Sequence, residues 1–345
     1  MTASSNQGLS SSASADLAPN GAAASANTEQ MSFPQILWKF SRPHTIIGSA
    51  MAVPSLHFLA APTLAAAFSM QNLGAIVWAM IPACLMNLYI TGLNQITDVE
   101  IDKVNKPYLP IAAGLLSMRQ AVVTVVLSLV ASLAIGMAVG TQGLNVALWG
   151  SAILGTIYSV EPFRFKRFPA LAAFCIVAVR GAIINASFFT HALASAYGQA
   201  GATVLGCLAT NRACALSSLF FGVFGLVIAL MKDVPDVVGD RLANVKTFSV
   251  RLGQKQVFTG MRRLLSVLFW GVGATFARHA VRAWTSSTGL AACRLVTAAA
   301  AAWAGWSVRQ QAQGVNPEDS DQVYTYYMHL WKLFYMSYLV LPFAR

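Results

Sequence analysis

The sequence predicts an all-helical, polytopic membrane protein with nine transmembrane helices. Only 10% of its 345 residues are charged and 56% are hydrophobic, whereas a soluble domain carries roughly 25% charged residues. The mean hydropathy of the chain is positive. Its successive apolar runs, of about 17 to 25 residues, are each long enough to cross a hydrocarbon layer of ~30 Å as a helix. These observations together indicate that lipid surrounds most of the chain.

The nine apolar runs follow one another with short polar connections. Lys39 and Arg42 precede the first run, and the basic stretch "FRFKR" follows the fourth. Arg262 and Arg263 lie close to the start of the seventh run, so that run begins less clearly than the others. The runs lie at 46–68, 73–93, 119–140, 144–160, 169–189, 215–231, 258–277, 283–306 and 323–343.

The first 32 residues differ from the rest, because they are rich in Ser, Ala and Asn and have no Lys or Arg. They lack the basic start and apolar core of a secretory signal. A disordered tail and a targeting remnant both stay open, since an organelle transit peptide is Ser-rich and acid-poor but normally also Arg-rich. We therefore expect residues 1–32 to precede a single membrane domain at 33–345.

The cysteines and the net charge exclude other classes of protein. The five cysteines form no Cys-x-x-Cys pair and no cluster with histidine, which argues against disulfides and zinc. In a soluble protein a net charge of +11 would indicate a nucleic acid partner. Here most Lys and Arg lie in the loops between apolar runs. Such loops face the cytoplasmic or equivalent side of a membrane. We therefore expect no nucleic acid partner and a basic face that includes the N-terminal approach.

The acidic residues are concentrated in two short segments on that basic face. Of the 12 Asp and Glu, six fall in "NQITDVEID" after the second run and "KDVPDVVGD" after the sixth. The Asn and two Asp of the first segment are four positions apart, and the three Asp of the second are at positions i, i+3 and i+7. On a continuous helix each set of three side chains would therefore form one stripe. The two sets are Asn94, Asp98 and Asp102, and Asp233, Asp236 and Asp240.

Carboxylates at this spacing repel one another unless a cation neutralises them. Mg²⁺ takes oxygen ligands and keeps positions for water and phosphate. We therefore expect the two stripes to face each other and to hold Mg²⁺ on a bound diphosphate. Either segment alone is equally consistent with a solvated helix end, but the two occur at equivalent places after the second and sixth runs, each beside Lys or Arg.

Functions of other classes stay open at this point. A cation-coupled membrane transporter would also use acids, although many secondary transporters place their sites at the bilayer midplane and these acids lie at helix ends. A non-catalytic membrane scaffold would tolerate the loss of Asp98 or Asp236. A soluble isoprenyl diphosphate synthase also uses two Asp-rich helices, but the nine apolar runs argue against it.

The two Asp motifs together resemble those of the UbiA superfamily of intramembrane aromatic prenyltransferases. The strings "NQITDVEIDKVNKPYLPIAAG", "GTIYSVEPFRFKRFP" and "YYMHLWKLFYMSYLVLPF" are similar to those of the homogentisate prenyltransferases of plastids. The string around Tyr158 and the C-terminus resemble the solanesyl-transferring members more than the phytyl-transferring members. The resemblance covers about residues 33 to 345.

The resemblance implies a UbiA-type bundle of nine helices, with a central cavity open sideways to lipid and capped by the two Asp-bearing loops. It implies transfer of a polyprenyl group, solanesyl first and phytyl as the alternative, from its diphosphate to homogentisate with loss of CO₂. The product would be 2-methyl-6-solanesyl-1,4-benzoquinol, the precursor of plastoquinone. Mg²⁺ is the implied cofactor, the lipid bilayer a partner, and the chloroplast envelope the implied location.

The resemblance also implies roles for single residues. The six residues of the two motifs would hold Mg²⁺, with the five aspartates counted as catalytic. Tyr158 would stabilise an allylic cation, with packing at a helix end as the alternative. Lys106 and Lys166, and less directly Arg164, would meet the diphosphate oxygens. Ordinary positive-side anchoring is the alternative for these three.

Three further residues are candidates for substrate binding. Arg42 in "SRPHT" would contact the diphosphate or the carboxylate of the acceptor, and the neighbouring His44 is either a proton acceptor or structural. Arg180 and Asn185 lie in the fifth run, where a buried charge is costly and suggests function. Arg180 would bind homogentisate, and a snorkelling side chain is the alternative.

The sequence departs from the family pattern in three places. Plastid relatives often carry Tyr where Thr97 stands and an acid where Val238 stands. The second motif therefore keeps three carboxylates, which is enough for a metal but leaves its coordination open. The stretch 191–213 resembles the family poorly, and we assign it no role.

Overall fold

The computed structural model describes residues 31–344, so the tail predicted at 1–32 lies almost wholly outside the described residues. Within 31–344 the regular structure is all helical, as predicted. Two 3₁₀ turns, Phe165–Arg167 and Leu341–Phe343, accompany the helices, and a π-helical stretch, Ala178–Ala186, lies inside α8. The helices are α1 Phe33–Phe40, α2 Pro43–Ala60, α3 Leu64–Ala67, α4 Met70–Thr97, α5 Val99–Asn105, α6 Met118–Val139, α7 Gln142–Ser159, α8 Pro169–Ala196, α9 Val204–Thr210, α10 Arg212–Lys232, α11 Val237–Leu242, α12 Phe248–Leu252, α13 Gln254–Ala283, α14 Thr288–Gln310 and α15 Ser320–Val340.

Nine of the helices in 31–344 have at least 18 residues, and each overlaps one predicted apolar run. Five of them, α4, α6, α8, α10 and α13, are long and apolar enough to cross a membrane. The other four, α2, α7, α14 and α15, are long enough but are not among those five; α2, for example, includes His44 and His57. A helical, membrane-spanning protein is therefore confirmed, and the count of nine spans stays a prediction.

Side chains at the first turn of several helices fix where they begin. Ser69 accepts a hydrogen bond from the Asn72 N–H at the start of α4. Ser117 and Gln120 form a reciprocal capping box at the start of α6. That helix ends at Gly140, which adopts the left-handed conformation with φ 75° that glycine accommodates without strain. The third predicted run, 119–140, therefore matches its helix within one residue at each end.

Two predicted boundaries are wrong. The run 46–68 is not one helix, because α2 ends at Ala60 and Pro62 lacks the backbone N–H that a continuing helix needs. Ala61 is extended, with ψ 128°, as expected of a residue before proline. The helix predicted from 283 begins only at Thr288, since α13 continues to Ala283 and Ser287 caps the next helix.

The π-helical stretch of α8 packs closely against α10. A Cβ atom at Gly181 would lie 2.9 Å from the Cα of Gly222, so a larger residue there would force the two backbones apart. Phe221 and Phe224 of α10 in turn pack edge-on against Phe334 of α15, with ring centroids 5.4 and 5.2 Å apart. These contacts fix the relative positions of three helices that line the cavities described next.

Candidate active site

The two Asp motifs lie where long helices end. α4 ends at Thr97, and Asp98, with φ −118° and ψ 16°, turns the chain into the short helix α5. α10 ends at Lys232, Pro235 interrupts the helix, and Asp236 precedes the short helix α11. The prediction of one continuous stripe for each motif is therefore wrong. The two turns nevertheless bring all six motif side chains, including Asn94, to the wall of one pocket.

Asn105 joins the two motifs. Its side-chain amide donates a hydrogen bond to the carbonyl of Asp236 at 3.0 Å, and its Oδ1 accepts one from the N–H of Gly239 at 2.9 Å. A Cβ atom at position 239 would overlap the Asn105 side chain, so glycine is needed for this approach. The short helices α5 and α11 are thus held against each other by a residue that belongs to neither motif.

Asp98 is neutralised by the chain that follows α7. The Lys166 ammonium donates to Asp98 Oδ1 at 2.6 Å and to the Thr97 hydroxyl at 3.1 Å. The Arg164 guanidinium lies 3.2 Å from the same Asp98 oxygen and 3.3 Å from Glu161. Lys166 lines the pocket, whereas Arg164 supports Asp98 from outside the pocket lining. The sequence predicted the same contact with diphosphate for Lys166 and Arg164, but only Lys166 lines the pocket.

Three more ion pairs bring cations to the other aspartates. They join Lys106 to Asp236, Lys232 to Asp233 at 3.6 Å, and Arg42 to Asp102 at 4.0 Å. All six residues line the pocket. The pocket wall therefore combines anionic and cationic side chains in alternation, and each carboxylate other than Asp240 has a cation within 4.0 Å.

Burial controls the protonation of the carboxyl groups. It raises the pKa of Asp240 to about 7, and repulsion from Asp233 and Asp236 adds to the shift. Burial also raises the pKa of Asp102 to about 6, with two nearby cations opposing it. Asp102 Oδ2 is buried without a hydrogen-bond partner. Two carboxyl groups of the site thus titrate near neutral pH, where a bound cation would favour their ionised forms.

The residues present fit a magnesium ion shared with a phosphate ligand. The donors are oxygens, which Mg²⁺ prefers, and Asp102 Oδ2, which has no hydrogen bond and only Arg42 at 4.0 Å, can accept a metal. Within residues 31–344 no three His, Cys, Asp or Glu side chains are arranged to hold a metal ion by themselves. This agrees with the usual behaviour of Mg²⁺, which binds through one or two carboxylates together with substrate phosphates rather than in an all-protein cage.

The polar pocket opens into an apolar cavity inside the helix bundle. The polar pocket contains about 750 Å³ of empty space and the apolar cavity about 1340 Å³, each including the space at its open side. Arg42, Asn94, Tyr158 and Lys232 line both. The apolar cavity is lined mainly by aliphatic and aromatic side chains, among them Met86, Ile90, Leu148, Leu154, Ile184, Phe188, Ile228 and Trp331. The combined space suits an amphiphile with an anionic head and a long apolar tail.

The structure distinguishes the remaining predicted residues by location. Tyr158 lies at the junction of the two spaces. Arg180 lines the apolar cavity, with its guanidinium 4.8 Å from the ring centre of Trp331. Asn185 is fully buried and lines neither space; its amide donates to the carbonyl of Arg180, and its Oδ1 accepts from Tyr338. Asn185 therefore positions the backbone from which the Arg180 side chain extends.

The sequence analysis passed over two residues of the site. The sequence analysis did not single out Lys232, although its position directly before Asp233 was a signal that could have been used. Asn105 follows Asp102 by three residues and gave no chemical signal, because its function depends on a contact with α11. Val238, where the resemblance led us to expect an acid, is 65% exposed and does not line the pocket, so its side chain takes no part in the pocket wall.

Comparisons with known proteins agree with this geometry. The profile of the UbiA prenyltransferase family matches residues 55–333. The chain is 37% identical over 325 residues to homogentisate phytyltransferase 1, chloroplastic, of Arabidopsis thaliana, covering 93% of this chain and 78% of that protein. It is 35% identical over 329 residues to homogentisate solanesyltransferase, chloroplastic, of the same species, covering 90% and 77%.

A solved structure shares the fold. The chain matches a UbiA homolog from Archaeoglobus fulgidus bound to GPP and Mg²⁺ with a TM-score of 0.59 and 16% sequence identity, over 89% of this chain and 99% of that one. Identity this low supports the common fold alone. The family membership therefore rests on the sequence comparisons, and the solved structure agrees with it in fold.

Proposed function

The chain belongs to the UbiA prenyltransferase family, and from that premise we propose that it transfers a solanesyl group from solanesyl diphosphate to homogentisate. Loss of CO₂ from the acceptor would give 2-methyl-6-solanesyl-1,4-benzoquinol for plastoquinone biosynthesis. The observation that carries the proposal is the continuity of a charged pocket with a large apolar cavity, joined at Tyr158 and Lys232. An isoprenoid diphosphate has the same two parts.

Cleavage of the allylic C–O bond leaves negative charge on the diphosphate, and cationic side chains provide much of the stabilisation. Fixed positive groups aimed at developing charge are usually the largest contribution to such a rate enhancement. Four line the polar pocket: Arg42, Lys106, Lys166 and Lys232. Their ion pairs with the aspartates hold them at the pocket wall before substrate arrives. They would then turn toward the phosphate oxygens.

Mg²⁺, when bound, would supply a Lewis acid that neutralises the leaving diphosphate. The residues that would hold it are Asn94, Asp98, Asp102, Asp233, Asp236 and Asp240. Asn105 keeps the two short helices that carry Asp102 and Asp240 at a fixed separation. Arg164 orients Asp98 from outside the pocket.

The acceptor would react at the junction of the two spaces. Tyr158 presents an electron-rich ring there, which would stabilise the allylic cation while the ring carbon of homogentisate attacks it. Arg180 would bind the acceptor's carboxylate until CO₂ leaves. The new bond joins the isoprenoid C1 to the aromatic ring, diphosphate departs, and the proton released from the ring balances the one taken up by the new methyl group.

Phytyl transfer to homogentisate, a step of tocopherol synthesis, is the second candidate for the donor. The similarity to the phytyltransferase, 37%, is close to that to the solanesyltransferase, 35%. Donor length depends on the shape of the apolar cavity, which both isoprenoids would occupy from the same pocket. We further propose that nine helices span the membrane and that this membrane is the chloroplast envelope.

The test uses purified protein in lipid with radiolabelled homogentisate and Mg²⁺, and supplies solanesyl, geranylgeranyl and phytyl diphosphates in parallel. We expect a lipid-soluble product that forms fastest with solanesyl diphosphate and is lost with EDTA and in Asp98→Ala and Asp236→Ala. Lys103→Ala is the matched control, because its exposed side chain pairs only with Glu100. Preference for phytyl diphosphate would establish the second candidate. Cation-coupled uptake into vesicles with no prenylated product would instead favour a transporter.

A further inference from the structure

The segment between α10 and α13 forms a lid, residues 237–252, with two different faces. Its inner face contributes Asp240, Val245, Thr247 and Phe248 to the wall of the charged pocket. The lid consists of the short helices α11 and α12 and a connection in which Asn244 has a positive φ of 54°. Anything that holds the outer face in place therefore also positions one wall of the pocket.

The lid exposes three large apolar side chains, one of which is Val238 in α11, at 65%. Leu242 is 76% exposed and Leu252 is 54% exposed, at the C-terminal ends of α11 and α12. Lys246 and Arg251 are exposed between and beside them. Leucines at the surface next to basic residues are typical of segments that lie at a membrane interface, where the apolar side chains enter the acyl boundary.

The charge of this region has one sign. From 241 to 263 the chain has no Asp or Glu. Within residues 31–344 no ion pair involves a basic residue of that stretch. The six basic residues are Arg241, Lys246, Arg251, Lys255, Arg262 and Arg263. Such a cluster beside a membrane-spanning helix complements the headgroups of anionic lipids.

The position of the lid brings it close to those headgroups. It connects α10 and α13, which are both long and apolar enough to span a membrane. The 30 residues of α13 extend ~45 Å, whereas the hydrocarbon core is only ~30 Å thick. Its charged start, with Lys255, Arg262 and Arg263, is the part that suits the headgroup layer. Gln254 also donates to the carbonyl of Val234 at 2.8 Å, which keeps the two ends of the lid together.

We propose that the outer face of the lid binds the anionic headgroups of the surrounding bilayer, and that this contact holds the inner face over the charged pocket. The membrane contact stands independently of the reaction, whereas the effect on the prenyl donor rests on the proposed function. Each basic residue near an anionic surface contributes about fivefold to the contact equilibrium. The lid should thus be more closed in anionic than in zwitterionic bilayers.

The test compares nanodiscs of phosphatidylcholine with nanodiscs rich in phosphatidylglycerol, where both faces of the protein are accessible and insertion topology has no influence. Amide hydrogen exchange of residues 237–252 is measured without Mg²⁺, and the KM for the prenyl diphosphate is measured separately. We expect exchange of the lid to slow by about fivefold or more in anionic discs, and the donor KM to fall. Lys246→Gln/Arg251→Gln should reduce both effects, because it removes two of the six basic residues, which lie between and beside the exposed leucines.

The matched control is Arg278→Gln/Arg282→Gln, which removes two exposed charges from the other end of α13 and should retain both effects. Equal exchange in the two lipids, or a lipid effect of the same size in Lys246→Gln/Arg251→Gln as in the original chain, would overturn the proposal. Protection produced by soluble glycerol phosphate in phosphatidylcholine discs would also overturn it, because the ligand would then be a free anion. Lipid-dependent protection without any prenylated product would support the membrane contact and refute the proposed function alone.

Discussion

Asn105 shows how a single uncharged side chain positions two charged motifs. Two hydrogen bonds of about 1 kcal/mol each connect it to the carbonyl of Asp236 and the N–H of Gly239. Neither the composition nor the spacing of the motifs predicts this role, because it arises from a contact between residues 131 or more positions apart. The aspartates were predictable since acids are rare in this chain; Asn105 was not.

We expect Asn105→Ala to lower kcat/KM for the prenyl diphosphate by about 10- to 30-fold, which corresponds to the two lost hydrogen bonds. The reason is that α5 and α11 would separate and the carboxylates they carry would lose their fixed distance. Steady-state kinetics at saturating homogentisate would measure the change. Lys103→Ala, two positions away on the exposed side of α5, should stay within twofold of the original chain. A similar loss in both variants would contradict the bridging role.

The raised pKa values of Asp240 and Asp102, about 7 and about 6, predict how metal binding depends on pH. A raised pKa means that the carboxyl group retains its proton up to a higher pH, and Mg²⁺ must displace that proton to bind. Affinity for Mg²⁺ in the presence of diphosphate should therefore increase from pH 6 to pH 8 and level off above it.

Calorimetric titration in buffers of different ionisation enthalpy would measure both the affinity and the protons released. Asp240→Asn should abolish the part of the pH dependence near pH 7 while keeping the part near pH 6. An affinity that does not change between pH 6 and pH 8 would be incompatible with burial as the cause of the pKa shifts.

Helix ends were the part of the fold that the sequence predicted least well. Each long helix was visible as an apolar run, because the period of the backbone and the thickness of lipid set its length. The break at Asp98 was not visible, since a 3.6-residue period continues through "NQITDVEID", whereas Pro235 was a readable signal for the break after Lys232. Pro62 was a readable signal for the end of α2, whereas no residue type marks the break at Asp98.

The contact between α8 and α10 gives a prediction about stability. Gly181→Val would place a side chain against the backbone of Gly222, and overpacking of this kind typically costs about 1–3 kcal/mol. We expect a lower thermal unfolding temperature in detergent and displacement of Arg180. Gly74→Val in α4 is the control, since a Cβ atom there meets nothing within 4 Å. Equal unfolding temperatures for the two variants would show that the helices can separate without cost.

At the scale of the whole molecule, the composition predicted that lipid surrounds the chain and that the fold is helical. A charge content of 10% is far below that of a soluble domain. The positions of the two acidic segments after the second and sixth runs predicted that the acids would meet at one end of the bundle. The resemblance implied a central cavity, but composition did not predict its shape, which depends on which faces of α4, α7, α8 and α15 meet. Under the proposed function donor length depends on that shape, and single residues therefore indicate it weakly.

The ion pairs across the pocket have a consequence for how ligands enter. If Mg²⁺ bound alone, it would coordinate a carboxylate and leave the buried lysine of that ion pair without a partner. If diphosphate bound alone, it would pair with the lysine and leave the carboxylate without one. Arriving together, each ligand satisfies the group that the other one frees, so binding is an exchange of partners that leaves no buried charge uncompensated. We therefore expect synergy: each ligand should raise the affinity for the other by the same factor. Calorimetric titration of either ligand with and without the other would measure that factor, and Lys106→Ala, which frees Asp236 beforehand, should reduce it.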